Sequence, residues 1–343
     1  MNEEQAVRER YSAGARERES SLCCPISYDP ALLAAIPDEV IERDYGCGDP
    51  TRTLRPGETV LDMGSGGGKA CFLAGQIVGP GGRVIGVDMN DDMLALARRA
   101  APEVARRVGY ANVEFVKARL QDLALDLEAL DRYLADQPVR SGEDLVRLEA
   151  EMADRRRLHP LVRGGSIDVV VSNCVLNLVR PADKAAAFAE IHRVLRPGGR
   201  AVISDIVSSE DVPESLARDP ELWSGCISGA FREDRFVEAF EAAGFHGITI
   251  LERHAEPWRT IGDLEFRSVT VAAWKPDEAS RSGAEQTVVY RGPFREVVDD
   301  EGRVLLRGVP TAVDGRALRT YASEPYRAHV ALVSPGDSCC GGS

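Results

Sequence analysis

Short apolar runs alternate with helical patterns from about residue 59 onward. Five runs have the length and composition of buried strands: TVLDMG (59–64), RVIGVDM (83–89), VEFVKA (113–118), IDVVVSN (167–173) and RAVISDI (200–206). The stretches between them predict helices, and ITILERH and EFRSVTVAAWK predict two closing strands. Near-continuous apolar strands separated by helices are typical of a doubly wound, mostly parallel α/β sheet. We therefore predict such a sheet, of seven strands, over residues 55–275.

Two parts of the chain depart from this rhythm. Residues 119–165 repeat leucines at helical spacing, which predicts a helical hairpin inserted between strands three and four; the leucines are Leu123, Leu127, Leu130 and Leu134. Packing or dimerisation is one role for such an insertion, and a substrate lid is another. After the sheet, the composition predicts a linker (276–286), a small β-rich domain with a hairpin around DDEG (287–334) and a flexible tail (335–343).

Composition and charge narrow the class of protein. With 44% hydrophobic and 28% charged residues, the 343-residue chain has ordinary globular composition. The net charge of −13 argues against a surface that binds nucleic acid throughout. No apolar run approaches the roughly 18 residues that span a bilayer, and the charged N-terminus has no signal-peptide pattern. We therefore expect a cytoplasmic protein without nucleic-acid or membrane partners.

A glycine-rich loop directly follows the first predicted strand. In LDMGSGGGK, Gly64, Gly66 and Gly68 permit a tight turn and the close approach of a ligand. Asp88 ends the second strand 20 residues after Gly68, where its carboxylate would accept hydrogen bonds from ribose hydroxyls. The dinucleotide pattern GxGxxG requires a glycine where this chain has Lys69, so nicotinamide binding fits poorly.

Asp62, just before the glycines, distinguishes two classes of cofactor. A carboxylate there would repel a pyrophosphate but attract the cationic methionine moiety of S-adenosylmethionine (SAM). The loop, together with LRPGGRAVISDI at the fifth strand, resembles motif I and the post-motif region of class I SAM-dependent methyltransferases. The resemblance covers roughly residues 55–275 and implies SAM as the cofactor.

Three of the eight cysteines fall in irregular segments near the predicted cofactor loop. Cys174 follows the fourth strand, which adjoins the first strand in a doubly wound sheet. Cys226 lies in a Gly/Ser-rich segment after the fifth strand, and Cys47 lies in a turn-forming segment before the first. Thiolates select soft ions, and the chain lacks the close-spaced CxxC pairs of structural zinc sites. We predict that the three thiols converge on one thiophilic atom, whereas Cys71 lies in the core.

The segments YGCG, SNCVLNLV and GCISGA resemble those of arsenite SAM methyltransferases. The resemblance implies that Cys47, Cys174 and Cys226 are catalytic and bind trivalent arsenic, and that Cys23 or Cys24 also takes part in substrate binding. An arsenic atom held by three sulfurs keeps a lone pair, which can attack the sulfonium methyl carbon in line without a general base. A thiol reductant, thioredoxin or glutathione, is then expected to restore the reduced state.

The same resemblance implies which residues hold SAM. Tyr45 and Gly46 would close over it, within a cysteine-bearing lid segment at residues 1–54. The full set expected at the cofactor is Tyr45, Gly46, Asp62, Gly64, Ser65, Gly66, Asp88, Met89, Leu120, Asn173 and Cys174. Two departures from the family pattern bear on substrate preference. The 119–165 insertion is longer than usual, and ISGAFREDRF replaces a more aromatic run after Cys226.

Two other functions remain consistent with the residues. In a SAM methyltransferase of an organic small molecule the cysteines would be incidental, but carbon or oxygen methylation usually needs a general base, and no candidate stands out. A non-catalytic metalloid-binding protein would bind arsenite without producing S-adenosylhomocysteine.

The sequence leaves the roles of three further residues open. Cys339 and Cys340 in the tail either capture metalloid or form an incidental pair, and Asp205 either shapes the pocket or caps a turn.

Overall fold

The computed structural model of the protein describes residues 3–19, 28–277 and 286–333. Its helices are α1 (Glu3–Gly14), α2 (Pro30–Leu33), α3 (Asp38–Glu42), α4 (Lys69–Val78), α5 (Asp91–Val108), α6 (Leu127–Asp136), α7 (Gly142–Leu158), α8 (Pro181–Val194), α9 (Glu214–Ala217), α10 (Pro220–Ser224), α11 (Glu233–Ala242) and α12 (Gly315–Ala322). Its strands are β1 (Thr59–Met63), β2 (Arg83–Asp88), β3 (Val113–Lys117), β4 (Ile167–Asn173), β5 (Leu195–Ser208), β6 (Phe231–Arg232), β7 (His246–Arg253), β8 (Arg259–Ile261), β9 (Leu264–Trp274), β10 (Gln286–Tyr290), β11 (Glu296–Val298), β12 (Val304–Leu306), β13 (Pro310–Val313) and β14 (Val330–Val333). Among the helices of these ranges, none combines the length and apolarity needed to cross a bilayer.

The main sheet is doubly wound and mostly parallel, which confirms the predicted fold class. Seven strands follow the order β3-β2-β1-β4-β5-β9-β7, with β6 added beside β5 and β8 beside β9. The strands β1 to β5 pair in parallel, and β9 runs antiparallel to both β5 and β7. The strand order reverses between β1 and β4, so the carboxyl ends of these two strands border a crevice where ligands of such sheets bind.

The apolar strand runs arise because both faces of the sheet are covered. In β4, Val170 packs into the core on one face, while Val169 and Val171 pack into the core on the other. Helix α5 begins where the Asn90 side chain accepts hydrogen bonds from two backbone N–H groups, and it ends at Gly109, whose φ is 94°. The side-chain cap and the C-terminal glycine thus determine where the helix begins and ends, and the burial of apolar strands determines the sheet.

Two helices occupy the segment between β3 and β4. Helix α6 buries Leu130 and joins α5 through an ion pair of 2.7 Å between Glu128 and Arg98. Helix α7 buries no side chain, and an ion pair of 2.9 Å ties Arg156 to Asp122. Helix α7 therefore has little packing against the sheet domain that would fix its position.

Residues 286–333 form a small unit with its own core. Strand β10 pairs antiparallel with β13 and β14, and β11 and β12 flank the DDEG turn. Helix α12, which the sequence pattern did not predict, buries Tyr321 in this core. The unit contacts the start of β7, where the His246 ring stacks on Tyr326 with 5.8 Å between ring centroids.

Candidate active site

The loop between β1 and α4 has a backbone that only glycine adopts readily. Gly64, Gly66 and Gly68 have φ angles of 81°, 50° and 92°. A side chain at Gly64 would come within 2.4 Å of Val175, so space is lacking as well. The Gly66 N–H donates a hydrogen bond of 2.8 Å to Asp88 Oδ2. The loop thus turns tightly and is bonded to the carboxylate at the end of β2.

One cleft opens at the carboxyl ends of the central strands. It holds about 1170 Å³ of empty space, its mouth included. The structure places all the residues expected at the cofactor along this cleft: Tyr45, Gly46, Asp62, Gly64, Ser65, Gly66, Asp88, Met89, Leu120, Asn173 and Cys174. The buried Ser65 hydroxyl in the glycine loop has no hydrogen-bond partner within the described ranges. A bound polar ligand would satisfy such a hydroxyl.

Asp62 places a buried carboxyl group in the wall of this cleft. It is only 2% exposed and accepts a hydrogen bond of 3.1 Å from Cys71 Sγ. Burial raises the pKa of Asp62 to about 7; the hydrogen bond from Cys71 opposes this, and the carboxylates of Asp44 and Asp88 add to it. Burial also raises the pKa of Asp88. A cationic ligand would stabilise both carboxylates in their charged form.

Helix α1 covers the cleft, and we did not predict this helix from the sequence. Glu4, Val7, Arg8 and Tyr11 line the cleft from one face of α1. Their i, i+3, i+4, i+7 spacing was a signal that could have identified the face. Arg10 fixes the helix by donating to the carbonyl oxygen of Glu221 at 2.8 Å, so α1 also touches α10.

An asparagine side chain holds the Cys47 loop against the end of β4. The Asn173 carboxamide oxygen accepts the N–H groups of Cys47 and Gly48 at 2.8 and 3.1 Å, and its amide nitrogen donates to the Gly48 carbonyl oxygen at 2.7 Å. The Cys47 carbonyl oxygen accepts a hydrogen bond of 2.6 Å from Ser268. A side chain at Gly46 would stand 2.2 Å from the Asn173 carboxamide, so the close approach requires glycine there.

Cys174 and Cys226 have left-handed backbone conformations. Their φ angles are 63° and 62°, and they are the two non-glycine residues with positive φ in the ranges that the structure covers. Hydrogen bonds hold both turns: the Cys174 N–H donates to Ser204 at 2.8 Å, and the Cys226 N–H donates to Trp223 at 3.1 Å. Strained backbone that is fixed by its surroundings clusters at functional sites.

The structure brings the three predicted cysteines together around Cys174. All three are buried, at 0%, 5% and 4% exposure for Cys47, Cys174 and Cys226. The sulfurs of Cys47 and Cys174 lie within 4.8 Å of each other and of an Asp205 carboxylate oxygen. Cys226 Sγ lies 3.2 Å from the Cys174 carbonyl oxygen and 3.9 Å from the Tyr11 hydroxyl. Cys174 also lines the cleft, so the thiol cluster borders the predicted cofactor site.

The environment of these thiols favours their protonated form. A hydrogen bond with Cys226 lowers the pKa of Cys174, but the contact with Cys47 and burial outweigh it and raise that pKa well above the usual value. The hydrogen bond with Cys174, followed by burial, likewise raises the pKa of Cys226. Cys174 and Cys226 are therefore neutral thiols until a ligand replaces their protons.

The other cysteines divide into two groups. Cys71 is fully buried among apolar side chains of α4 and the sheet, and it lies outside the thiol cluster. Cys23, Cys24, Cys339 and Cys340 lie outside the described residues.

Asp205 is a member of the cluster whose role the sequence left open. It is fully buried, and its two carboxylate oxygens accept backbone N–H bonds from Ile206 at 2.8 Å and Asn177 at 3.3 Å. Burial raises its pKa, and the charge of Lys184 opposes that rise. The position of Asp205 at the end of a strand was the only sequence signal, because its proximity to Cys47 and Cys174 depends on the tertiary structure.

The fold and the cleft define a class I SAM-dependent methyltransferase, and comparisons with known proteins agree. A family of methyltransferase domains matches residues 54–244, and a domain family of unknown function matches residues 278–340. The arsenite methyltransferase of Aquipseudomonas alcaligenes is 33% identical over 285 residues, which cover 80% of this chain and 72% of that protein. That of Halobacterium salinarum is 35% identical over 269 residues, covering 76% and 58% of the two chains.

A solved structure gives the same result. The arsenic(III) S-adenosylmethionine methyltransferase CrArsM of Chlamydomonas reinhardtii aligns over 90% of this chain and 97% of its own, with a TM-score of 0.60 and 27% identity. The chain belongs to the arsenite methyltransferase family.

Proposed function

We propose that this protein transfers a methyl group from SAM to trivalent arsenic bound by the thiolates of Cys47, Cys174 and Cys226. The observation that supports this most is the buried thiol cluster beside the cleft. The sulfurs of Cys47 and Cys174 lie within 4.8 Å of each other, and Cys226 Sγ approaches the Cys174 carbonyl oxygen at 3.2 Å. Three sulfur ligands suit a soft, thiophilic centre.

Arsenite can bind to the cysteines in their protonated form. Arsenous acid, As(OH)₃, reacts with three thiols to give one arsenic trithiolate and three waters, and each thiol proton leaves with a hydroxide of the acid. The net reaction releases no proton, so the raised pKa values of Cys174 and Cys226 do not disfavour it. The buried cluster then holds the arsenic atom apart from bulk water.

The cleft residues fit SAM. The buried Ser65 hydroxyl has no partner in the described part of the chain, and it is suited to bond the methionine end of the ligand. Asp62 would face the cationic methionine moiety, and Asp88 would accept hydrogen bonds from the ribose. When bound, SAM supplies an electrophilic methyl group. Helix α1 and Tyr45, whose hydroxyl donates to the Gly14 carbonyl oxygen at 3.0 Å, would cover the cofactor as a lid.

The protein contributes orientation. Three sulfurs hold arsenic as a pyramid whose lone pair faces away from them, and alignment with the methyl carbon is worth up to roughly 7–11 kcal/mol in well-oriented systems. The lone pair would form the arsenic–carbon bond as the bond from the methyl carbon to the sulfonium sulfur breaks, so S-adenosylhomocysteine leaves with that electron pair and arsenic becomes formally pentavalent. We propose that a thiol reductant, thioredoxin or glutathione, returns the two electrons. A cytoplasmic location suits this cycle because thiols stay reduced there.

Serine substitutions at the cysteines test this function. Cys174→Ser and Cys226→Ser should each lower arsenite methylation at least about 100-fold, because the oxygen is a poor ligand for a soft centre. Binding of SAM, measured by calorimetry, should change by less than about threefold, because the Cys174 sulfur lies in the thiol cluster and many other residues line the cleft. Methylated arsenic and S-adenosylhomocysteine are quantified in the presence of a thiol reductant.

Cys71→Ser is the matched control, since Cys71 is equally buried but lies outside the thiol cluster. It should bind as much arsenite per chain as the parent protein, measured by arsenic analysis after gel filtration. Full methylation activity in Cys174→Ser or Cys226→Ser would refute the proposed role of the substituted cysteine.

A further inference from the structure

A carboxylate lies beside two of the three thiols. The ligand atoms of Cys47, Cys174 and Asp205 all lie within 4.8 Å of one another, and all three residues are buried. Cys226 is not part of this group. This set of ligand atoms has two sulfurs and one oxygen, which differs from the three sulfurs of the proposed arsenic site.

We propose that Cys47, Cys174 and Asp205 form a binding site for a thiophilic divalent cation, with Zn²⁺ as the representative ligand. The proposal rests on the proposed function in one respect only: a cation bound there would compete with arsenite for the two shared cysteines.

The donor set has the chemistry that zinc prefers. Zinc binds sulfur at about 2.3 Å and carboxylate oxygen at about 2.0–2.2 Å, and three protein ligands with an open fourth position are typical of its non-structural sites. Two thiolates among three ligands disfavour Mg²⁺ and Ca²⁺, which prefer oxygen. The carboxylate, as a hard donor, is in turn a poor ligand for trivalent arsenic.

The surroundings of Asp205 leave it able to coordinate. Backbone N–H groups of Leu176, Asn177 and Ile206 donate to the carboxylate, whose two oxygens offer about four acceptor positions, so one position remains for a cation. The Lys184 ammonium interacts favourably with the Asp205 carboxylate, and it lies 3.8 Å from the centroid of the Phe231 ring. Two thiolates and the carboxylate carry three negative charges, so Zn²⁺ and Lys184 together would neutralise the cluster.

The zinc and arsenic ligand sets predict that substitutions at Asp205 and Cys226 have opposite effects on the binding of the two ligands. Zinc would need Asp205 but not Cys226, whereas arsenic would need Cys226 in place of the carboxylate. Zinc would therefore inhibit arsenite methylation by occupying Cys47 and Cys174. This inhibition would depend on Asp205, which is not a ligand in the three-sulfur arsenic site.

Cobalt titration tests the site without arsenic or SAM. Co²⁺ is added to the reduced full-length protein, and the near-ultraviolet sulfur-to-cobalt charge-transfer band reports thiolate coordination. The cysteine pairs Cys23–Cys24 and Cys339–Cys340 could also bind cobalt, so all variants carry serine at these four positions. One equivalent of Co²⁺ should bind, and excess Zn²⁺ should remove the band.

Three variants give the decisive contrast. Asp205→Asn and Cys47→Ser should each weaken Co²⁺ binding at least about tenfold, whereas Cys226→Ser should change it by less than about twofold. Equal losses in Asp205→Asn and Cys226→Ser, or no saturable band in the parent protein, would overturn the proposal. If Asp205→Asn fails to fold, judged by loss of SAM binding, the contrast between Cys47→Ser and Cys226→Ser still decides.

A second arm measures inhibition. The Zn²⁺ concentration that halves the methylation rate should rise with arsenite concentration. In Asp205→Asn this half-inhibiting concentration should be at least about tenfold higher than in the parent protein, with each protein's rate expressed relative to its own uninhibited rate. An unchanged zinc sensitivity in Asp205→Asn would overturn the assignment of Asp205. A protein that binds cobalt as described but methylates no arsenic would refute the proposed function and leave the cation site intact.

Discussion

At the residue scale, the site depends on two cysteines in an unfavourable backbone conformation. A left-handed conformation costs a non-glycine residue about 1–2 kcal/mol, so Cys174 and Cys226 reduce the stability of the fold. Backbone hydrogen bonds to Ser204 and Trp223 fix both turns. The turns direct both cysteines into one buried cluster with Cys47, although they come from separate parts of the chain. A sequence cannot reveal this, since nothing in SNCV or SGCI requires a positive φ.

Asp62 predicts a pH dependence of cofactor binding. Burial raises the pKa of Asp62 to about 7, so the carboxyl group is increasingly protonated as the pH falls below 7. A cationic ligand binds the charged form, so SAM affinity should weaken as the pH falls from 8 to 6, by up to about tenfold per pH unit below the pKa. Calorimetric titration of SAM across this range measures the effect.

Asp62→Asn is the control for this assignment. Its amide oxygen can still accept the Cys71 hydrogen bond, but it does not titrate. The variant should bind SAM weakly with a flatter pH profile, the remaining slope coming from Asp88, whose pKa burial also raises. A profile in Asp62→Asn as steep as that of the parent protein would assign the titration to another group.

At the element scale, the loop that carries Cys47 and the end of β4 form one clamp. Asn173 bonds three backbone groups of Cys47 and Gly48, so the position of the Cys47 thiol depends on how closely this loop approaches β4. Apolar strand runs predicted β4 correctly, because both of its faces are buried. The sequence of α1 carried a weaker signal, because only Val7 and Tyr11 are apolar on the face that lines the cleft.

Gly46→Ala should disrupt this clamp. The added methyl group would stand 2.2 Å from Asn173, so either the loop or the carboxamide must move. We expect a destabilisation of roughly 1–3 kcal/mol, a melting temperature lower by several degrees, and arsenite binding reduced at least about tenfold. Thermal unfolding and arsenic stoichiometry measure these effects.

Gly81→Ala provides the comparison, because within the described ranges no atom beyond its chain neighbours lies within 4 Å of the added methyl group. It should bind arsenite like the parent protein. Equal arsenite binding by Gly46→Ala and Gly81→Ala would show that the clamp does not position Cys47.

At the scale of the whole molecule, the site lies at the carboxyl ends of the central parallel strands, whereas the C-terminal unit contacts the start of the edge strand β7. His246, which stacks on Tyr326 of that unit, is level with Trp274 and hence with Arg200 near the start of β5. Asp205 lies towards the carboxyl end of the same strand. The doubly wound sheet and the position of the fourth strand beside the first were predictable from the alternation of runs and helices. The proximity of Asp205 to two cysteines was not, because it depends on the register of β5 and on where the Cys47 loop packs.

This separation predicts that the C-terminal unit stabilises the enzyme without completing its site. A chain ending at residue 277 lacks none of the described cleft or thiol residues, so SAM and arsenite binding should stay within about threefold of the parent protein. Loss of the packing of Tyr326 on His246 and of Pro325 against Gly247 should lower the melting temperature by several degrees. Tyr326→Ala in the full chain should give a smaller decrease.

If the shortened chain keeps its fold and SAM binding but loses arsenite binding, the C-terminal part must supply a ligand. Serines at Cys339 and Cys340 in the full chain would then test whether that ligand is the tail pair.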